Sequence, residues 1–101
     1  MAQYSLDGLV HEVTRLKKDI TLQTVNGDYL KIQYFAHDVD WHSEGRDEFF
    51  IVLDGTADFG VENKDYHLKK GDLFVIEAGK KHRASSAGSV LLSIEPHEKA
   101  R

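Results

Sequence analysis

From Ile20 onward the chain consists of short runs of β-branched and aromatic residues, separated by glycine-containing turn pairs. Glycine and its polar neighbours supply the backbone conformations that tight turns need, so each pair predicts a reversal of the chain. Many short strands at this spacing are typical of an all-β sandwich, jelly roll or barrel. The turn pairs are Asn26-Gly27, Asp54-Gly55, Lys70-Gly71, Ala78-Gly79 and Ala87-Gly88.

The runs between the turns predict about eight or nine strands. The run from Phe49 to Leu53 is apolar at every position, so both faces of that strand need cover. We expect the barrel interior to cover one face, and another layer or a second copy of the chain to cover the other, which favours a homodimer. The predicted strands are 20–25, 29–36, 38–42, 48–54, 57–62, 65–68, 73–77, 82–85 and 90–95.

The segment before the strands has the periodicity of a helix. Ser5 precedes it as a candidate N-cap, and we predict one amphipathic helix over about residues 5–18, serving as a lid or an interface element. With a barrel over about residues 20–96, the sequence predicts a single domain over residues 1–101. The apolar residues at helical spacing are Leu6, Leu9, Val10, Val13 and Leu16.

The composition excludes several classes of function. The sequence has no cysteine, so any metal would need histidine and carboxylate ligands, and disulfides and thiolate nucleophiles are excluded. A formal net charge of -4 provides no field that attracts nucleic acid or anionic lipid. Since residues 1–18 hold no apolar run as long as a signal peptide or a membrane span, we expect a cytoplasmic protein.

A first motif with candidate ligands lies between the third and fourth predicted strands. It runs His42, one residue, Glu44, three residues, Glu48, six residues and Gly55. This spacing resembles the first motif of the cupins, in which a second histidine stands where this chain has Glu44. The resemblance implies that His42, Glu44 and Glu48 bind a metal ion.

A second motif resembles the second cupin motif. It runs Gly71, five residues, Glu77, one residue, Gly79, two residues, His82, three residues and Ser86. Glu77 replaces the usual proline and Ser86 the usual asparagine, and the resemblance makes His82 the fourth candidate ligand. The Trp-His-Ser and Asp-Glu-Phe-Phe stretches and the preceding helix are most similar to small mannose-6-phosphate-isomerase-like cupins. The implied fold is an all-β double-stranded β-helix, or jelly-roll barrel, with one N-terminal helix.

The four side chains suit a metal ion on chemical grounds as well. Residues two apart on a strand share a face, so His42 and Glu44 would both face the barrel interior if the strand continues that far. Another register would make Asp40 the partner of His42, or leave Glu44 in a solvent-facing loop. Two imidazoles and two carboxylates suit iron(II), manganese or zinc, with positions open for water or a substrate.

Glu44 in place of a histidine changes the charge of this site. Two neutral histidines, two carboxylates and a divalent ion sum to zero, so the site attracts an anionic substrate less than one with three histidines. Without an ion, Glu44 and Glu48 would repel each other, and one of them would keep a proton near neutral pH.

The remaining histidines and the basic residues beside His82 favour ordinary roles. Three histidines are expected to hydrogen-bond backbone carbonyls, namely His37, His67 and His97. Three basic residues flank His82 at an expected barrel-mouth turn and would be either solvated or able to hold a sugar phosphate, namely Lys80, Lys81 and Arg83.

Two functions of different classes fit this sequence. The first is a metal-dependent enzyme acting on a small sugar-like or other oxygenated organic substrate, with Glu44 or Glu48 taking a proton. The second is a binding or sensor module that holds a small ligand in a metal-free site without converting it. A purely structural dimer is least favoured, because burying four ionisable groups costs stability. The cupin fold hosts enzymes and binding proteins alike, so the fold alone does not choose between them.

Overall fold

The computed structural model describes residues 1–96, which form one helix followed by seven strands. The helix α1 is Leu6–Leu16. This architecture confirms the predicted all-β double-stranded β-helix, or jelly roll, with one N-terminal helix. The strands are β1 Ile20–Val25, β2 Asp28–Phe35, β3 Asp38–His42, β4 Glu48–Val61, β5 Lys64–Lys69, β6 Leu73–Ile76 and β7 His82–Pro96.

Two long antiparallel strands, β4 and β7, organise the barrel. They pair with each other from Phe50 opposite Ser93 to Val61 opposite His82. The first part of β4 also pairs with β6 and its second part with β5, whereas β7 pairs with β3 near its start and with β2 along its second half. Glu48 and His82 are the first residues of these two central strands.

Two of the predicted turns, Asp54-Gly55 and Ala87-Gly88, are wrong, because β4 and β7 continue through them. Gly55 has a φ of 74°, and a Cβ atom there would lie 2.2 Å from the carbonyl oxygen of Gly88. Successive partners leave one extra residue in β4 between Val52 and Asp54 and one in β7 between Ser85 and Gly88, as in β-bulges. Gly55 allows the two strands to approach closely, and because both strands run through their expected turns, the nine predicted strands become seven.

The helix begins at its predicted cap and packs on the outer face of the sheet. The Ser5 hydroxyl accepts a hydrogen bond from the backbone N–H of Gly8 at 3.2 Å, which satisfies one of the free donors of the first turn. Val13 is fully buried against Ile32 and Val90. The helix therefore covers the sheet from outside. In the described part of the chain no helix is long and apolar enough to span a membrane.

Side chains alternate between the barrel interior and this outer face. Val52, Phe59 and Leu91 belong to the interior core, which lies below the candidate site. On the outer face Leu73 and Val75 of β6 stay 58% and 50% exposed, beyond the area that α1 covers. A homodimer would cover this strip, and the expected homodimer stays a prediction.

Candidate metal centre

His42, Glu48 and His82 come together at one end of the barrel, from the end of β3 and the starts of β4 and β7. His42 and His82 are direct neighbours across the β3–β7 pairing, with ring centroids 4.2 Å apart. One donor atom from each of the three residues lies within 4.8 Å of the others. Nε2 of His82 is 2.9 Å from Oε1 of Glu48. The sequence spacing had singled out all three residues.

Both histidines are oriented by the backbone in the same way. Nδ1 of His42 lies 2.9 Å from the carbonyl oxygen of Asp40, and Nδ1 of His82 lies 2.9 Å from that of Lys80. A carbonyl oxygen only accepts, so each Nδ1 carries the proton and donates it. In the neutral imidazole, Nε2 then presents its lone pair to the centre of the site, as a metal ligand must.

Glu48 supplies an oxygen that needs a cation. Its Oε1 atom is buried and has no hydrogen-bond partner among residues 1–96. The lone pair of His82 Nε2 faces this carboxylate at 2.9 Å, so two acceptors meet unless a metal ion or a proton lies between them. The donor set of two imidazole nitrogens and one carboxylate oxygen therefore fits a divalent ion.

The surroundings of Glu48 disfavour its negative charge. Burial raises the pKa of the Glu48 carboxyl, and the nearby carboxylates of Glu44 and Glu95 raise it further. Contact with His82 and His42 lowers the same pKa, but burial has the largest effect. The direction agrees with the expected repulsion between Glu44 and Glu48.

Glu44 lies in the loop after β3, because that strand ends at His42. Its carboxylate is half exposed, and Oε1 lies 3.4 Å from Nε2 of His42, outside the compact three-residue group. The strand does not continue to Glu44, so the shared strand face with His42 is not formed, and the alternative of a solvent-facing loop position is the one found. Asp40 partners His42 through its carbonyl, whereas its carboxylate accepts from the backbone N–H of Trp41 at 2.8 Å.

A cavity of about 210 Å³ in the barrel interior adjoins the three residues. Its wall combines apolar side chains such as Phe50 and Phe59 with the polar Gln33 and Glu95. Sequence reasoning missed Gln33 and Glu95. The signal that could have found them is strand alternation, since Gln33 shares a face with Phe35, and Glu95 with Leu91.

The remaining histidines are divided between the cavity and the surface. His37 stacks edge-on against Phe35, with ring centroids 5.0 Å apart, and lines the cavity. His67 contacts the Asp58 carboxylate on the exposed face of β4 and β5, so the predicted bond to a backbone carbonyl is wrong there. His97 lies outside the described residues.

The chain belongs to the cupin family. The sequence profile of the cupin domain matches residues 31–95, a stretch that includes both motifs and all three clustered candidate ligands. The predicted resemblance to cupins is thereby confirmed.

One named relative is similar to most of this chain. The chain is 35% identical over 78 residues to YvyI of Bacillus subtilis, provisionally named a mannose-6-phosphate isomerase; the match covers 72% of this chain and 24% of that protein. The chain thus spans about a quarter of the length of this relative.

Solved structures show the same fold. A cupin-2 domain protein of Shewanella frigidimarina is 25% identical, with a TM-score of 0.72 over 78% of this chain and 79% of that one. A protein of Neisseria meningitidis is 16% identical, with a TM-score of 0.76 over 94% of this chain and 99% of that one. At the latter identity the likeness concerns the fold alone.

Proposed function

We propose that the protein is a small metal-dependent cupin enzyme acting on a small oxygenated organic molecule, with a divalent ion held by His42, Glu48 and His82. One observation carries this proposal. Both imidazoles are fixed through Nδ1 so that their Nε2 atoms converge on a buried carboxylate oxygen without a hydrogen-bond partner in the described chain. Iron(II), manganese and zinc all accept this donor set.

A bound divalent ion would supply a Lewis acid that polarises a carbonyl or hydroxyl oxygen of the ligand. The protein would provide the rest. Phe50 and the apolar core keep bulk water from one side of the site, which strengthens charge interactions there. Glu44 would either complete the ligand set, as the sequence predicts, or accept a proton from the ligand, because its carboxylate is exposed on the open side.

One observation favours a second candidate, a non-catalytic binding module without metal. If His82 carries a second proton, its Nε2–H donates a hydrogen bond to Glu48 Oε1, which lies 2.9 Å away. An imidazolium–carboxylate pair would then satisfy Glu48 without any ion. The barrel cavity would hold a small ligand in this case without converting it.

Metal analysis of the untagged protein distinguishes these candidates. Wild type, His82→Ala and Glu44→Ala are loaded with iron(II), manganese or zinc, desalted and analysed, with His67→Ala as a control that removes a surface histidine. We expect close to one ion per chain in wild type and in His67→Ala. The metal affinity of His82→Ala should fall at least about 100-fold, since mutation of residues that only hydrogen-bond to a metal ligand already lowers metal affinity about 10–100-fold.

Each outcome assigns a role. Metal retained by Glu44→Ala would leave Glu44 as the proton acceptor, and metal lost from it would make Glu44 a ligand. Equal metal content in wild type and His82→Ala would contradict the proposed centre, and no uptake by wild type would favour the binding module. Turnover of small sugars or keto acids by the loaded protein then tests the catalytic part.

A further inference from the structure

Acidic side chains dominate the walls around the candidate site. A second cavity of about 190 Å³ shares Glu48, Phe50 and Glu95 with the barrel cavity. Arg46 is the one lysine or arginine that lines either cavity in the described chain, and its guanidinium lies 3.5 Å from the Asp28 carboxylate. The acidic residues that line the two cavities are Asp19, Glu44, Asp47, Glu48 and Glu95.

The basic residues beside His82 do not offset these charges. Lys80 lies 3.5 Å from the Glu62 carboxylate, and Arg83 lies 3.2 Å from that of Asp65 and covers the ring of Trp41. Side chains alternate along β7, so Arg83 points away from the face on which His82 lies. These cations are therefore engaged outside the two cavities, and the phosphate-binding role considered for them has no support from their positions.

A group of hydrogen-bonded side chains on β2 and β7 lies beside the site. Gln33 Nε2 donates to Oε1 of Glu95 at 3.3 Å, and Lys31 Nζ donates to its Oε2 at 3.2 Å. Two donors therefore fix the Glu95 carboxylate, whose side chain stays 40% exposed. Lone pairs of the carboxylate remain for the hydroxyl groups of a ligand, because each oxygen accepts more than one hydrogen bond.

A buried hydroxyl lies two residues before Glu95 on the same strand face. Ser93 is 1% exposed, lines the second cavity, and its Oγ has no hydrogen-bond partner within residues 1–96. An unsatisfied buried hydroxyl costs stability, so native proteins rarely keep one without a reason. A hydroxylated ligand between Ser93 and Glu95 would satisfy this group.

We propose that these cavities bind an uncharged polyhydroxylated molecule and exclude its phosphorylated form, and that Glu95 determines this selectivity. The inference rests on the proposed function, because it takes the metal centre as the other side of the ligand site. A divalent ion there would have its charge balanced by Glu48 and Glu44, so it leaves no net positive charge for a phosphate. Lys31 offsets part of the Glu95 charge, but in the described chain no lysine or arginine pairs with the other acidic residues of the wall, Glu44, Asp47 and Glu48. A phosphate beside Glu95 would therefore face a net negative wall, and like charges in contact are strongly unfavourable.

Calorimetric titration of the zinc-loaded protein with matched sugars tests this inference. The probes are mannose, fructose and xylose, each paired with its own phosphate ester. We expect at least one uncharged sugar to bind at least about tenfold more tightly than its ester, given the cost of opposing like charges. Glu95→Gln removes the charge and keeps the shape of the side chain. By the same argument it should lower the ratio of sugar affinity to ester affinity at least about threefold.

Glu77→Gln is the matched control, because it makes the same change on an exposed residue outside both cavities. The ratio of sugar affinity to ester affinity in this variant should equal that of wild type. Esters that bind as well as or better than the sugars, or uncharged sugars that all fail to bind, would overturn the inference. Zinc content is measured in the same samples: zinc bound without sugar selectivity defeats this inference alone, whereas absence of zinc defeats the proposed metal centre.

Discussion

The barrel carries two histidine–carboxylate contacts that share their chemistry and differ in their surroundings. His82 meets Glu48 at 2.9 Å, with side chains 3% and 28% exposed. His67 meets Asp58 at 2.5 Å, with side chains 64% and 58% exposed. The shorter contact is thus the one in solvent, where water screens the charges and competes for the hydrogen bond.

The difference shows that distance alone does not make a functional site. The ring of His82 is fixed by the Lys80 carbonyl and faces a second histidine, whereas His67 turns its Nδ1 directly to Asp58. At the buried contact the Nε2 atoms of two histidines therefore remain available to an ion. At the surface contact the histidine nitrogen that faces the carboxylate is already bonded to it. Three measurements on matched variants test whether the two contacts differ in energy as well as in surroundings.

The largest expected effect is on the free energy of unfolding. In metal-free protein at pH 7, His82→Ala removes a buried partner of Glu48 and should cost about 3–5 kcal/mol, as loss of one member of a buried pair typically does. His67→Ala should cost less than about 1 kcal/mol, because exposed pairs contribute little. Urea denaturation with a chelator present measures both.

His82→Gln keeps more of the volume of the side chain and is the second variant if His82→Ala does not fold. Its free energy of unfolding should lie between those of wild type and His82→Ala. Equal losses for the His67 and His82 variants would erase the contrast between the two contacts.

A smaller effect is expected from added metal. An ion that binds only the folded state at 100 times its Kd stabilises that state by about 2.7 kcal/mol. Thermal denaturation of wild type and of Asp58→Asn should show this gain with zinc, because the surface pair takes no part. His42→Ala should show almost none, and a full gain in that variant would place the bound ion elsewhere.

The smallest expected effect is on the pH dependence of the metal-free protein. Burial raises the pKa of Glu48 in the folded state above its ordinary value, so the folded protein binds more protons than the unfolded chain between the two values. The contribution of this group to stability is fully present below the unfolded pKa and is lost as the pH rises through the folded pKa. Glu48→Gln should therefore flatten this loss when urea denaturation is repeated across the range.

Asp58→Asn is the control for the pH series, and it should keep the wild-type loss of stability with rising pH. Parallel curves for wild type and Glu48→Gln would show that burial of Glu48 has no net effect on its protonation.

Much of the local structure could be predicted from the sequence. The ranges Ile20–Val25 and Asp38–His42 and the Ser5 cap agree with the structure, because strand alternation and capping depend on residues close in sequence. The turns expected at Gly55 and Gly88 were wrong for a nonlocal reason. A glycine in a tight turn and a glycine where two strands approach closely have the same local signal, and only the partner strand tells them apart.

The sequence singled out the three candidate ligands that the fold brings together, and it missed the groups that orient them. Motif spacing identified His42, Glu48 and His82, which the fold brings together. Glu44 lies just beyond β3, whose end at His42 the sequence predicted, and motif spacing alone could not tell a loop position from a continued strand face there. The carbonyls that orient the two imidazoles belong to the backbone, so residue identity at Asp40 and Lys80 gave no indication of them.

Residue type and spacing along the chain were enough to predict the fold family and the candidate ligands His42, Glu48 and His82. What surrounds these residues depends on strand pairing, which brings together residues far apart in the sequence. Lys31 and Glu95 are 64 residues apart and meet through the β2–β7 pairing, and Arg83, the neighbour of His82 on β7, pairs with Asp65 away from the site. The net charge around a site depends on which residues lie near it in space, and strand pairing across the barrel determines which residues those are.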